Sequence, residues 1–121
     1  MEVVNESGGF TISGEAELRR GFWGRFRGLM LSGRRDVVLD AGVDDIMAST
    51  IHMAFMLYPI DILWVDGDMT VVEVRRNVRP LNPLRPATWR LYGPRRPTRY
   101  VVEVARGGLG DTAAGDRITF R

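Results

Sequence analysis

Short apolar runs separated by turn residues dominate the chain and predict a domain built mainly of β-strands. The clearest pair is Ile60–Val65 and residues 69–75, because the Asp66-Gly67-Asp68 sequence between them is typical of a β-hairpin turn. Apolar positions that alternate over residues 47–57 and 99–105 have the period of two that indicates strands. Val3-Val4 and Phe10-Thr11-Ile12 are predicted to form a short strand pair around the turn Ser7-Gly8-Gly9. Further short strands are predicted at residues 36–40 and in the last segment through Ile118 and Phe120.

One segment near the N-terminus has helical spacing instead. Leu18, Phe22, Phe26 and Leu29 recur at the spacing of one helix face, after acidic residues that suit a first helical turn. Three glycines fall on the opposite side of this helix, and each costs about 1 kcal/mol relative to alanine. The sequence therefore predicts an α+β, mainly β fold: a compact, small barrel-like antiparallel or mixed sheet with one short N-terminal helical segment.

Residues 77–97 hold five of the six prolines. Proline lacks the backbone donor that a helix interior or a central strand requires, so this segment is predicted to be a Pro/Arg-rich surface loop. Within this loop, one turn or short strand is predicted near residues 89–92. The chain as a whole, residues 1–121, is predicted to be a single domain.

The composition removes several kinds of chemistry. The chain has no cysteine, which excludes disulfides, thiolate zinc sites, iron–sulfur clusters and cysteine nucleophiles. His52 is the single histidine, so a histidine-rich metal site within one chain is excluded as well. We therefore predict no metal and no cofactor.

The longest apolar stretch, residues 46–65, is long enough to span a bilayer but is interrupted by His52, Pro59 and Asp61. A charged residue in the middle of a membrane helix costs about 2.5–3.5 kcal/mol on insertion scales. The N-terminus is acidic and lacks the basic start of a secretory signal. These features predict a cytoplasmic protein without membrane contact.

The charges are divided unevenly along the chain. Residues 1–74 carry 6 Arg against 12 Asp and Glu, a net charge of −6, whereas residues 75–121 carry 11 Arg against 3 acids, a net charge of +8. Arginines interleaved with aromatic residues are typical of surfaces that bind anions or single-stranded nucleic acid. The residues that would form such a surface are Arg75, Arg76, Arg79, Arg85, Trp89, Arg90, Arg95, Arg96 and Arg99. The alternative is a plain solvated surface, since arginine supplies every basic side chain in a protein without lysine.

Three motifs, in order along the chain, resemble those of one known family. They are Arg27-Gly28-Leu29-Met30, then the block from Ile51-His52-Met53 through Pro59-Ile60-Asp61 to Asp66-Gly67, and finally residues 100–104 with Gly107 and Gly115-Asp116. This pattern is similar to that of the domain of unknown function 192 family. The resemblance implies a compact, mostly β domain with a short helical insert, and it implies no established activity.

Within these motifs, Arg27, His52, Met56 and Asp61 are predicted to line a shallow pocket of mixed polar and apolar character. The leading interpretation is a small non-catalytic binding or accessory domain for a small or anionic ligand. One alternative is RNA or single-stranded nucleic-acid binding through residues 75–99. Another is an enzyme in which His52 and Asp61 act as an acid–base pair on an unidentified substrate, although a reaction is the less favoured interpretation.

A purely structural role for Asp61 is also consistent with the sequence. In that interpretation its carboxylate caps the Tyr58-Pro59 turn and pairs with Arg25 or Arg27. The sequence leaves the oligomeric state open, and an exposed edge strand would be the natural interface of a homodimer.

Overall fold

The computed structural model describes residues 1–20, 36–45, 51–52, 60–78, 91–92, 94–105 and 107–121. The strands they form are β1 (Val3–Asn5), β2 (Phe10–Ser13), β3 (Ala16–Arg20), β4 (Asp36–Asp45), β5 (Ile51–His52), β6 (Ile60–Val65), β7 (Val71–Val78), β8 (Leu91–Tyr92), β9 (Thr98–Ala105) and β10 (Ile118–Phe120).

The largest sheet has five strands in the order β3-β4-β9-β6-β7. The β3–β4 pair is parallel, and the other pairs are antiparallel. The predicted hairpin between β6 and β7 is confirmed. Its turn is held by the Asp66 carboxylate, which accepts hydrogen bonds from the backbone N–H groups of Asp68 and Thr70 at 3.0 Å each.

A second sheet, in the order β10-β1-β2, packs against one face of the five-stranded sheet. The predicted pairing of β1 with β2 is confirmed, and β10 pairs with the other side of β1. The apolar residues between the two sheets form the first core: Val3, Ile12, Ala16, Val38, Leu63, Val65, Val71, Val102, Val104, Leu109 and Ile118.

The opposite face of the five-stranded sheet is also apolar and buried. Successive side chains of a strand point to opposite faces, so the residues that alternate with the first core lie here. They form the second core: Val37, Leu39, Ile60, Ile62, Trp64, Val78 and Val101. Burial on both faces explains why every residue of β6 is buried.

The predicted fold class is wrong in two respects. The described residues form strands and no helix, and the segment expected to begin the helix is β3, paired in parallel with residues 36–40. Leu18, which was assigned to the apolar helix face, is 36% exposed. Backbone pairing with β4 therefore overrides a helical pattern already weakened by glycine. The remainder of the predicted helix, residues 21–29, lies outside the described residues.

Among the described residues, the sheets are also not closed into a barrel. The described five-stranded sheet is open, with β3 and β7 as its two edges, so mainly β is correct and barrel-like is not. The short strand expected near residues 89–92 is present as β8, which pairs with β5. The described part of the chain contains no helix long and apolar enough to cross a membrane.

Candidate functional site

The central strand of the five-stranded sheet carries an acidic residue on a buried face. Glu103, in β9, is 3% exposed and lies in register between Val37 of β4 and Ile62 of β6. It shares its face with Val101, two residues earlier on the same strand. Trp64 is the cross-strand partner of Val101, which places it diagonally next to Glu103. The carboxyl group is therefore flanked within the sheet by residues of the second core.

Neither carboxyl oxygen of Glu103 has a hydrogen-bond partner in the described structure. The sheet itself explains this, because β9 pairs on both sides and its backbone N–H groups lie in the plane of the sheet. A side chain that stands perpendicular to that plane cannot reach them. Burial raises the pKa of Glu103 from 4.5 to about 8. At neutral pH the group is consequently an uncharged carboxylic acid, with one O–H donor and acceptor capacity on its oxygens.

Glu103 belongs to a row of cross-strand neighbours that runs across all five strands of the sheet, and each end of this row is a charged residue. Glu17 of β3 lies opposite Val37, and Arg75 of β7 lies opposite Ile62. Each is two strands away from Glu103, about 10 Å at the usual strand spacing. Arg75 is exposed. The centre of the row is thus apolar apart from the carboxyl group itself.

A second buried acid, Asp61 of β6, has the opposite arrangement. It is 2% exposed, but its Oδ1 accepts a hydrogen bond from the backbone N–H of Asn77 at 2.8 Å, and its Oδ2 accepts one from that of Gly107 at 2.9 Å. Both donors belong to residues with positive φ, 55° and 85°, where the chain leaves regular strand geometry. Asp61 therefore stabilises the ends of β7 and β9, the two strands that flank β6. Its side chain points away from the second core, to the face that carries Leu63 and Val65.

Of the four residues predicted to line a pocket, Asp61 is the one whose side chain the structure describes. His52 lies in β5, in register with Leu91. Arg27 and Met56 lie outside the described residues. No group of three or more His, Cys, Asp or Glu side chains suited to a metal ion occurs in the portions of the chain described here.

Two arginines of residues 75–99 form ion pairs with acidic side chains of residues 1–74. Arg99 forms a two-pronged ion pair with Asp40, at 2.8 Å from Nε to Oδ1 and 3.2 Å from Nη2 to Oδ2. The Nε atom of Arg95 lies 3.4 Å from the Oε1 atom of Glu73. Part of the charge asymmetry of the sequence is therefore neutralised within the fold.

A third arginine, Arg76, donates hydrogen bonds from Nη2 to the carbonyl oxygens of Gly110 and Thr112, at 2.8 and 2.7 Å. Arg75 and Arg96 are exposed. The other predicted members of the basic surface, Arg79, Arg85, Trp89 and Arg90, lie outside the described residues.

Comparison with known proteins identifies the family. The family model DUF192, described as "Uncharacterized ACR", matches residues 3–120. The chain belongs to the DUF192 family. The resemblance of the three sequence motifs is thereby confirmed.

Proteins similar to this DUF192 domain come from several organisms. A UPF0127 protein of Thermococcus gammatolerans is 33% identical over 122 residues, which cover 98% of this chain and 74% of the relative. Two solved structures share the fold at 22% identity. One is a candidate transcription regulator from Sinorhizobium meliloti, with a TM-score of 0.77 and coverage of 98% of this chain and 89% of that one. The other is a protein of unknown function from Novosphingobium aromaticivorans, with a TM-score of 0.78 and coverage of 98% and 82%.

The family-like motif at residues 100–104, within β9, contains Glu103, yet the sequence alone does not mark it as a site residue. In a sheet with one solvated face, an acid that alternates with Val102 and Val104 is expected to face water. Its one local signal is isolation, since it is the single acid in the apolar run of residues 100–105. Only burial of the second face of the sheet makes that acid unusual.

Proposed function

We propose that this DUF192 domain is a non-catalytic binding domain whose small, largely apolar ligand contacts the carboxyl group of Glu103. The observation that carries the proposal is a fully buried carboxyl group without a hydrogen-bond partner in the described structure. Buried polar groups in folded proteins are normally hydrogen-bonded, and an unsatisfied one costs about 1–3 kcal/mol. A ligand that supplied the missing partner would recover that free energy on binding.

A purely structural role explains Asp61 well and Glu103 poorly. Asp61 holds two backbone amides that would otherwise be unpaired, so its carboxylate stabilises the fold. Glu103 makes no equivalent hydrogen bond, and a leucine at that position would suit the apolar surroundings better. Apolar walls with a single polar group are typical of small-molecule binding sites.

A fragment screen monitored by methyl NMR tests this function. We expect ligands that shift the methyl resonances of Val37, Ile62 and Val101, and we expect these shifts to disappear in Glu103→Leu. Glu15→Gln is the matched control, because Glu15 is exposed and lies outside this face. If a diverse screen produces no ligand that shifts these methyls, or if the shifts persist in Glu103→Leu, the proposed function is wrong.

The two alternatives from the sequence remain open to direct tests. Single-stranded RNA binding would weaken with salt, with log K falling by about 0.7 per phosphate contact. Arg75→Gln with Arg96→Gln would reduce that slope, since both arginines are exposed. A reaction that used His52 would be lost in His52→Ala while the fold persisted.

A further inference from the structure

Glu103 must find its hydrogen-bond partner outside the sheet. The backbone groups of β9 are directed toward β4 and β6, and the side chains in register with Glu103 are Val37 and Ile62, which have no polar atoms. Neither oxygen of this carboxyl group has a partner in the described structure, and the protonated group holds an O–H donor beside a carbonyl acceptor.

No cation of the described sheet compensates a negative charge at this position. Arg75, on β7, is two strands away and exposed, and Arg99, on β9, is engaged by Asp40. An ionised Glu103 paired with an ammonium ion would place two charges in apolar surroundings, and the desolvation cost of such a pair can exceed its Coulombic attraction. A neutral partner avoids this cost.

We infer that the group bound by Glu103 is uncharged and carries a hydrogen-bond donor beside an acceptor, as in a primary amide or a lactam. This inference rests on the proposed binding function and specifies its ligand class. The protonated carboxyl group donates its O–H to the amide oxygen and accepts the amide N–H on its carbonyl oxygen, so a pair of hydrogen bonds closes a planar ring. The apolar part of the ligand packs against Ile62, Trp64 and Val101.

Three probes that share a phenyl ring test the class: benzamide, benzylamine and benzoate. Binding is followed at pH 6.5 through the methyl resonances of Val37, Ile62 and Val101. We expect benzamide to bind more tightly than the cation and the anion. Glu103→Gln should retain benzamide binding, because an amide side chain also offers one donor and one acceptor, whereas Glu103→Leu should weaken it more than about tenfold.

The pH dependence provides a second readout. The protonated fraction of Glu103 falls tenfold per pH unit above a pKa of about 8, so benzamide should bind wild type about thirty-fold more weakly at pH 9.5 than at pH 6.5. If wild type does not remain folded at pH 9.5, the same comparison at pH 8.5 should give a loss of about fourfold. Binding to Glu103→Gln should not change over this range.

The outcomes separate the inference from the proposed function. Tighter binding of benzylamine or benzoate, or benzamide binding that is independent of pH in wild type, would overturn the amide class. If such ligands also lose affinity in Glu103→Leu, the binding function survives with a different ligand. Absence of methyl shifts with all three probes overturns the amide class, and absence across the full fragment screen overturns the binding function too.

Discussion

Replacement of Glu103 by glutamine should change how the stability of the domain depends on pH. The pKa of this carboxyl group is about 8 in the folded protein and 4.5 without burial. Between these values the folded state holds a proton that the unfolded state has released. The unfolding free energy of wild type therefore falls as pH rises, by about 1.4 kcal/mol per unit from this group. Below pH 4.5 the group is protonated in both states and its full contribution is present.

Glutamine has nearly the same shape as the protonated acid but does not titrate. Every other group titrates alike in wild type and variant, so the difference between their unfolding free energies isolates Glu103. Over pH 5 to 8 this difference should grow by about 3.5 kcal/mol in favour of Glu103→Gln. That is a large fraction of the stability of a small domain, which is about 5–15 kcal/mol.

Urea denaturation at pH 5, 6, 7 and 8, followed by tryptophan fluorescence, measures the difference. Trp64 is fully buried beside the site and should report unfolding well. Glu15→Gln is the control, and its difference from wild type should be small and constant. A constant difference for Glu103→Gln as well would show that the acid titrates normally, and the description of an orphaned buried carboxyl group would then be refuted.

Three further experiments test the polar contacts of the fold. Asp61→Asn should destabilise the protein by about 1–3 kcal/mol in urea denaturation at pH 7, because an amide cannot accept from both backbone donors; a smaller loss would contradict the anchoring role. Asn5→Ala should cost about 2–3 kcal/mol through its lost hydrogen bonds. It should also raise the pKa of Asp116, measured by carbon NMR, since the Asn5 side chain is the main cause that lowers it. A double-mutant cycle of Arg99→Met and Asp40→Asn should give a coupling of only about 0.5–1 kcal/mol, because Arg99 is 38% exposed; a coupling several times larger would contradict solvent screening.

The sequence predicts the strands well wherever their signal is local. The β6–β7 hairpin follows from Asp66 and Gly67 between two apolar runs, and β1 with β2 follows from a similar glycine turn. The predicted N-terminal helix rests on the same kind of local pattern, and it is wrong over its described part, which is strand β3. Residues 16–20 adopt strand geometry because they pair with residues 36–40, which no local periodicity reveals.

The candidate site is less accessible to sequence reasoning. One interpretation of the sequence has Asp61 cap the Tyr58-Pro59 turn and pair with Arg25 or Arg27, which all lie outside the described residues. Its described partners are the backbone N–H groups of Asn77 and Gly107, 16 and 46 residues away, which almost any residue type could supply. Glu103 was not predicted because strand alternation alone does not show that both faces of a sheet are buried.

The pairing of the first and last strands bears on how the domain folds during synthesis. β1 lies between β2 and β10, and the Asn5 side chain donates a hydrogen bond to the carboxylate of Asp116, 111 residues later. While the chain is still emerging from the ribosome, one side of β1 has no partner strand, and the first core lacks Ile118. Contacts between such distant residues form slowly. We therefore expect nascent chains that lack β10 to expose a sheet edge and part of the first core, which makes that interval the one in which aggregation competes with folding.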